Sequence, residues 1–122
     1  MPVTQVAMIS GSNLEISVDQ LGKDATVRPS GQINVYSSPD LRDRLLAILS
    51  DEPSPRSITV DLAGVSYIET SGIATLIEAL KIARHHQTTL CLQGLSSSVL
   101  QLFEVTGVLA LFEASDCGRK VS

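Results

Sequence analysis

The sequence predicts an α/β domain built on a mixed β-sheet with its helices mainly on one face. Three observations lead there. Apolar periodicity gives the order strand, strand, helix, strand, helix, strand, helix, and strands joined through helices pair in parallel. Every strand segment alternates apolar and polar residues, the pattern of a strand buried on one side, whereas sheets covered on both faces are made of continuous apolar runs. The chain has 122 residues, enough for one domain with a real core and too few for two.

The elements follow in order. Residues 1–11 show no clear period and are expected to form a loosely held lead-in. In LEISVD the apolar Leu14, Ile16 and Val18 alternate with Glu15, Ser17 and Asp19, a half-buried strand. Gly22, Lys23 and Asp24 mark a turn, and Ala25 and Val27 give a second strand ending near Pro29, so the pair reads as a hairpin. SSPDLRDRLLAIL is a helix: Ser38 can cap, Pro39 suits the first helical position, Asp40 suits the positive end, and Leu41, Leu45, Ile48 and Leu49 form the apolar face. Pro53 and Pro55 end it. SITVDL alternates again through Ile58, Val60 and Leu62. A second helix over GIATLIEALKIARHH carries the stripe Ile73, Leu76, Ile77, Leu80 and Ala83. TLCLQ is a strand through Leu90 and Leu92. A third helix runs from about Ser97 to Val105, capped within Ser96 to Ser98, with Val99, Leu102 and Phe103 inward and Gly107 as its stop. The type of LALFEA is open, and DCGRKVS reads as a frayed end.

Composition removes several classes of function. Aromatic residues make up 3% of the chain and there is no tryptophan, which leaves nothing for base-stacking platforms. With 9 basic against 13 acidic residues and a net charge of −4, the chain lacks the positive footprint that binds a phosphate backbone. No nucleic-acid partner is expected. The apolar runs 45–49 and 108–112 are far too short to cross a bilayer, and the start has no basic segment followed by an apolar one. No direct membrane insertion and a cytoplasmic location are therefore expected. Cys91 and Cys117 are expected as free thiols.

Between the SITVDL strand and the second helix lies YIETSG, Tyr67 to Gly72, with a carboxylate, two hydroxyls and a glycine in four successive positions. In structural terms Ser71 or Thr70 would be the N-cap of the helix and Gly72 would allow a tight turn. The same junction also suits a phosphate, because free N–H groups and the helix dipole stabilise negative charge there. A serine so placed is fit for phosphorylation. Glu69 would repel that phosphate, accept a hydrogen bond from the Ser71 hydroxyl, or position the hydroxyl in a kinase. No other chemistry has a comparable signal. Adjacent His85 and His86 point to different faces of a helix without acidic or thiol neighbours at ligand spacing, so no metal is expected. G-x-S-x-G, Walker and dinucleotide motifs are all missing from the sequence, so neither an enzyme nor a cofactor is expected.

At these residues the chain resembles the STAS domain family, in particular its small single-domain anti-sigma factor antagonists. VDLAGVSYIETSGIATLIEAL resembles the family's strand, acidic-Ser/Thr-Ser-Gly turn and helix, LSSSVLQLFEVTGV its later helix, and GQIN, Gly31 to Asn34, its G-x-L-D turn. The resemblance covers residues 12–113 and leaves 114–122 as a C-terminal tail. It implies a non-enzymatic partner switch: the antagonist binds an anti-sigma factor that is also a serine kinase, phosphorylation of the turn serine breaks the complex, and a phosphatase restores it. Carried onto this chain, Ser71 is the phosphoacceptor, and Asn34, Glu69, Thr70, Gly72 and Ile73 form the partner surface. Glu69 and Asn34 stand where the family usually has aspartates. Glu69 keeps the charge one methylene further out, and Asn34 keeps an acceptor without the charge. The resemblance equally allows a STAS component docked on the ATPase of a phospholipid-transport ABC system, or a stress-complex scaffold, as a monomer or a homodimer.

Overall fold

The computed structural model describes residues 5–7, 14–51 and 53–113. It contains the strands β1 (Gln5–Ala7), β2 (Leu14–Leu21), β3 (Asp24–Ile33), β4 (Ser57–Asp61), β5 (Gly64–Ile68) and β6 (Thr89–Gln93), and the helices α1 (Ser38–Leu49), α2 (Thr70–His85), α3 (Ser97–Val105) and α4 (Val108–Glu113). β1, β2 and β3 pair antiparallel, whereas β4 and β5 both run parallel to β3, and β6 runs parallel to β4. The sheet is mixed, in the order β1-β2-β3-β4-β6, with β5 joined to β3 alone.

The alternation in the sequence becomes a two-sided sheet with one dry face. Leu14, Ile16, Val27, Ile58, Val60, Leu90 and Leu92 are buried in one core with Leu41, Leu45 and Leu49 of α1, Leu76 and Leu80 of α2, and Phe103 of α3. The helices therefore cover that face, and burying each such side chain favours folding by about 1.5–3 kcal/mol. Ser17, Asp19, Thr26, Thr59 and Asp61 alternate onto the other face, where they are half-buried. There Arg28 pairs with Asp19 and reaches Asp61 at 3.6 Å, a surface arrangement that contributes little to stability.

Several elements differ from expectation. β1 lies inside the segment read as a lead-in, with Gln5 opposite Val18. β3 does not stop near Pro29 but continues to Ile33. It pairs with β4 through residues 24–27 and with β5 through residues 30–33. Pro29 falls in the gap between these pairings, where on that side no ladder bond is required of it. In α1, Ser37 rather than Ser38 is the N-cap, which makes Ser38 the first helical residue and Pro39 the second. The LALFEA segment, whose type the sequence left open, lies in the helix α4 over residues 109–113, and Ala114 falls outside the described residues.

Other ends close as expected. The Ser96 side chain caps α3 by accepting from the Val99 amide at 3.4 Å, and Gly107 ends that helix at φ +75°. Thr88 follows α2 and donates its hydroxyl to the Pro55 carbonyl at 2.7 Å, tying the start of β6 to the start of β4. Cys91 is disulfide-bonded, which corrects the expectation of a free thiol there: it sits on the half-buried open face of β6 rather than walled off in the core. Cys117 and the end read as frayed lie outside the described residues.

Candidate functional site

The site forms where β3 and β5 end side by side. Ile33 pairs with Ile68 in the last register position, and one residue on the Glu69 amide donates to the Ile33 carbonyl at 2.8 Å. Asn34 and Glu69 thus leave the sheet together, at the carboxyl ends of parallel strands, the usual place for sites in open α/β sheets.

Asn34 organises the turn into α1. Its Oδ1 accepts from the amides of Tyr36 and Ser37 at 2.9 and 3.0 Å. Its own amide donates to the Ser37 hydroxyl at 2.9 Å, and that hydroxyl donates to the Gln32 carbonyl at 2.8 Å. The side-chain oxygen works as an internal acceptor, a role that Asn and Asp share. These bonds wind the chain before Ser38, which is why α1 starts early.

The start of α2 corrects three local expectations. Glu69, extended at φ −98° and ψ 173°, is the N-cap, so neither Thr70 nor Ser71 caps, and they are instead the first and second helical residues. The cause is the strand pairing, which holds the chain extended as far as the Glu69 amide. The Glu69 carbonyl then accepts from Gly72 and Ile73 at 2.9 and 3.1 Å, closing the first turn. Its carboxylate makes no capping bond, and the Ser71 Oγ is buried with no hydrogen-bond partner among the described residues. Of the alternatives open for Glu69, a hydrogen bond accepted from the Ser71 hydroxyl is therefore not formed.

Gly72 serves close packing rather than a tight turn. A Cβ there would lie 2.4 Å from Cγ2 of Ile33 and 2.8 Å from Cγ1 of Ile68, so only glycine lets α2 approach the strand ends this closely. Ile73 is 5% exposed and belongs to the core. Of the residues expected at a partner surface, Thr70 is exposed, Asn34 and Glu69 are half-buried, and Gly72 and Ile73 are buried, so the last two position the turn from beneath.

Sequence reasoning missed the aromatic surroundings of this turn. Both tyrosines of the chain lie here, Tyr36 two residues past Asn34 and Tyr67 two residues before Glu69, and they are 77% and 52% exposed. Val35 is exposed beside Tyr36. The available signal was that both tyrosines flank the two motifs, whereas Phe103 and Phe112 sit in core-facing helices. Nearby, Arg42 of α1 makes a two-pronged contact with Glu78 of α2 at 2.9 and 3.0 Å. This hydrogen bond, with the attraction between the charges, holds the Glu78 carboxyl below the usual carboxylate range and raises the Arg42 guanidinium.

Among the described residues no three His, Cys, Asp or Glu side chains gather as a metal site, and no helix is long and apolar enough to cross a membrane. A one-sided mixed sheet with an acidic-Thr-Ser-Gly turn at the head of a helix defines a class, and the comparisons agree. The STAS domain family model matches residues 15–121, and the chain belongs to that family. It is 29% identical over 103 residues to an anti-sigma-B factor antagonist of Bacillus subtilis, covering 84% of this chain and 92% of the relative. It is 30% identical over 104 residues to an anti-sigma-B factor antagonist of Staphylococcus aureus, covering 85% and 94%. An anti-sigma factor antagonist from Mycobacterium paratuberculosis shares the fold, with a TM-score of 0.74 and 17% identity over 86% of this chain and 87% of the other.

Proposed function

We propose that the protein is an anti-sigma factor antagonist, a non-enzymatic partner switch in the cytoplasm whose state is set by phosphorylation of Ser71. The observation that carries this reading is a serine hydroxyl at the second position of α2, in a chain alignable with named antagonists over most of its length. Unphosphorylated, it binds an anti-sigma factor that is also a serine kinase. In the transfer step Ser71 Oγ bonds to the γ-phosphorus of ATP, the hydroxyl proton passes to a base of the kinase, and ADP leaves. A phosphatase uses water to return the serine and inorganic phosphate.

The local structure fits such a step. The Ser71 Oγ has no hydrogen bond to break among the described residues, so turning it outward costs a change of rotamer. At the head of α2 the first amides lack carbonyl partners within the helix, and they can donate to the new phosphate together with the helix dipole. Release of the partner needs no refolding. Burying an unmatched phosphate in a protein interface costs about 2–5 kcal/mol, a loss of some thirtyfold to several thousandfold in affinity, and the Glu69 carboxylate two residues away adds repulsion.

The test is to incubate the protein and its Ser71→Ala variant with each purified anti-sigma factor kinase of the source organism and ATP, then map phosphate by mass spectrometry. One kinase should modify the wild type on Ser71 and leave the variant unmodified. Absence of phosphate and of complex with every kinase would refute the reading.

A further inference from the structure

β5 contains an irregularity that decides where Tyr67 points. Its register with β3 shifts between Gly31, opposite Val65, and Gln32, opposite Tyr67, so Ser66 is an extra residue with no register position opposite it, its hydroxyl donating to the Gly31 carbonyl at 3.3 Å. Strict alternation from the buried Val65 would send Tyr67 into the core and Ile68 outward. The bulge reverses this: Ser66 and Tyr67 are both exposed and Ile68 is buried. Bulges re-aim side chains in this way and concentrate beside functional sites. The outcome is costly for a soluble surface, since a large aromatic is left half-exposed on a strand that pairs only with β3 among the described strands.

We propose that Tyr67 and Tyr36, with Val35, form the apolar part of a docking patch around Glu69, and that its occupant is an anti-sigma factor presenting a cationic side chain framed by apolar ones. This rests on the antagonist reading above. The distribution of aromatics argues for a patch: the two phenylalanines are 0% and 4% exposed, and the two tyrosines 77% and 52%. Tyrosine is the residue type that anchors protein interfaces while tolerating water when free. Charge selects the partner. The Glu69 carboxylate makes no capping bond and takes no salt bridge among the described residues, in a chain of net charge −4. A single partner cation neutralises Glu69 but leaves a neighbouring phosphate of about −1.5 to −2 largely unmatched once buried, and that desolvation outweighs the added attraction to the cation.

The experiment measures binding of each purified anti-sigma factor kinase of the source organism to the wild type, to the Tyr36→Ser/Tyr67→Ser double variant, to Glu69→Gln, and to Leu21→Ser, which removes an equally exposed apolar side chain at the opposite end of the sheet. Circular dichroism melts check that each variant is folded. The double variant should bind the wild type's partner roughly thirtyfold or more weakly, the loss typical of an interface anchor. Glu69→Gln should weaken binding and flatten its salt dependence, and Leu21→Ser should bind normally. A partner that binds the wild type and the double variant equally, or whose salt dependence survives Glu69→Gln, overturns the patch and leaves the antagonist reading standing. If no kinase binds the wild type, both fall.

Discussion

Gly72→Ala tests whether the site is positioned by close packing. An added Cβ would lie 2.4 Å from Cγ2 of Ile33 and 2.8 Å from Cγ1 of Ile68, against about 3.5–4.0 Å for carbon atoms at rest. Both isoleucines are buried, at 0% and 3% exposure, so neither can swing into solvent. Overpacking costs about 1–3 kcal/mol, and an approach this close to two buried side chains belongs in the upper half of that range, about 2–3 kcal/mol. Replacing glycine by alanine in a helix returns about 1 kcal/mol, which leaves a net loss of about 1–2 kcal/mol. Urea unfolding followed by circular dichroism should show a lower midpoint at unchanged slope. Ile33→Leu moves the branch away from Cβ at nearly constant volume and should cost less than about 1.5 kcal/mol alone. In the double variant the Gly72→Ala penalty should shrink by about half or more, because the two residues touch. A Gly72→Ala protein as stable as its parent, or two penalties that simply add, would refute this account of the glycine.

Two further predictions concern the surroundings. Asn34→Ala removes the acceptor of two amides and should lower stability by about 1–2 kcal/mol, whereas Asn34→Asp keeps both bonds and should stay within about 0.5 kcal/mol of the parent; equal losses in the two variants would contradict the acceptor role. Glu78 has a folded-state pKa lowered first by its hydrogen bond to Arg42, so it stabilises the fold above the unfolded carboxylate value and loses that contribution as pH falls through the lowered one. Glu78→Gln should therefore show a shallower acid limb in urea midpoints followed from neutral pH downward, and superimposable limbs would count against the pairing.

The pattern of what the sequence revealed follows from how each element announces itself. β2, β4 and β6 alternate strictly and α1, α2 and α3 repeat every three to four residues, so periodicity finds them. β5 escapes because its bulge breaks the alternation into buried, exposed, exposed, buried over Val65 to Ile68. The second half of β3 escapes because proline usually ends a strand, and the gap that tolerates Pro29 exists only once β4 and β5 share one neighbour. At the site, the turn and its serine were visible. The identity of the cap was not, since it depends on where pairing with Ile33 releases the chain. The role of Gly72 was hidden for the same reason: its contacts lie on two other stretches of sequence.

The division of labour along β3 has a consequence for how this architecture can vary. One half of that strand is laced into the row Val27, Val60 and Leu92, and the other half alone carries β5 and the turn above it. Within β5, Val65 and Ile68 are shared with the common core whereas Ser66 and Tyr67 face outward, so exchanges at the exposed pair alter the upper end of the sheet and leave that row intact. The sheet behaves as a socket with an exchangeable outer rim.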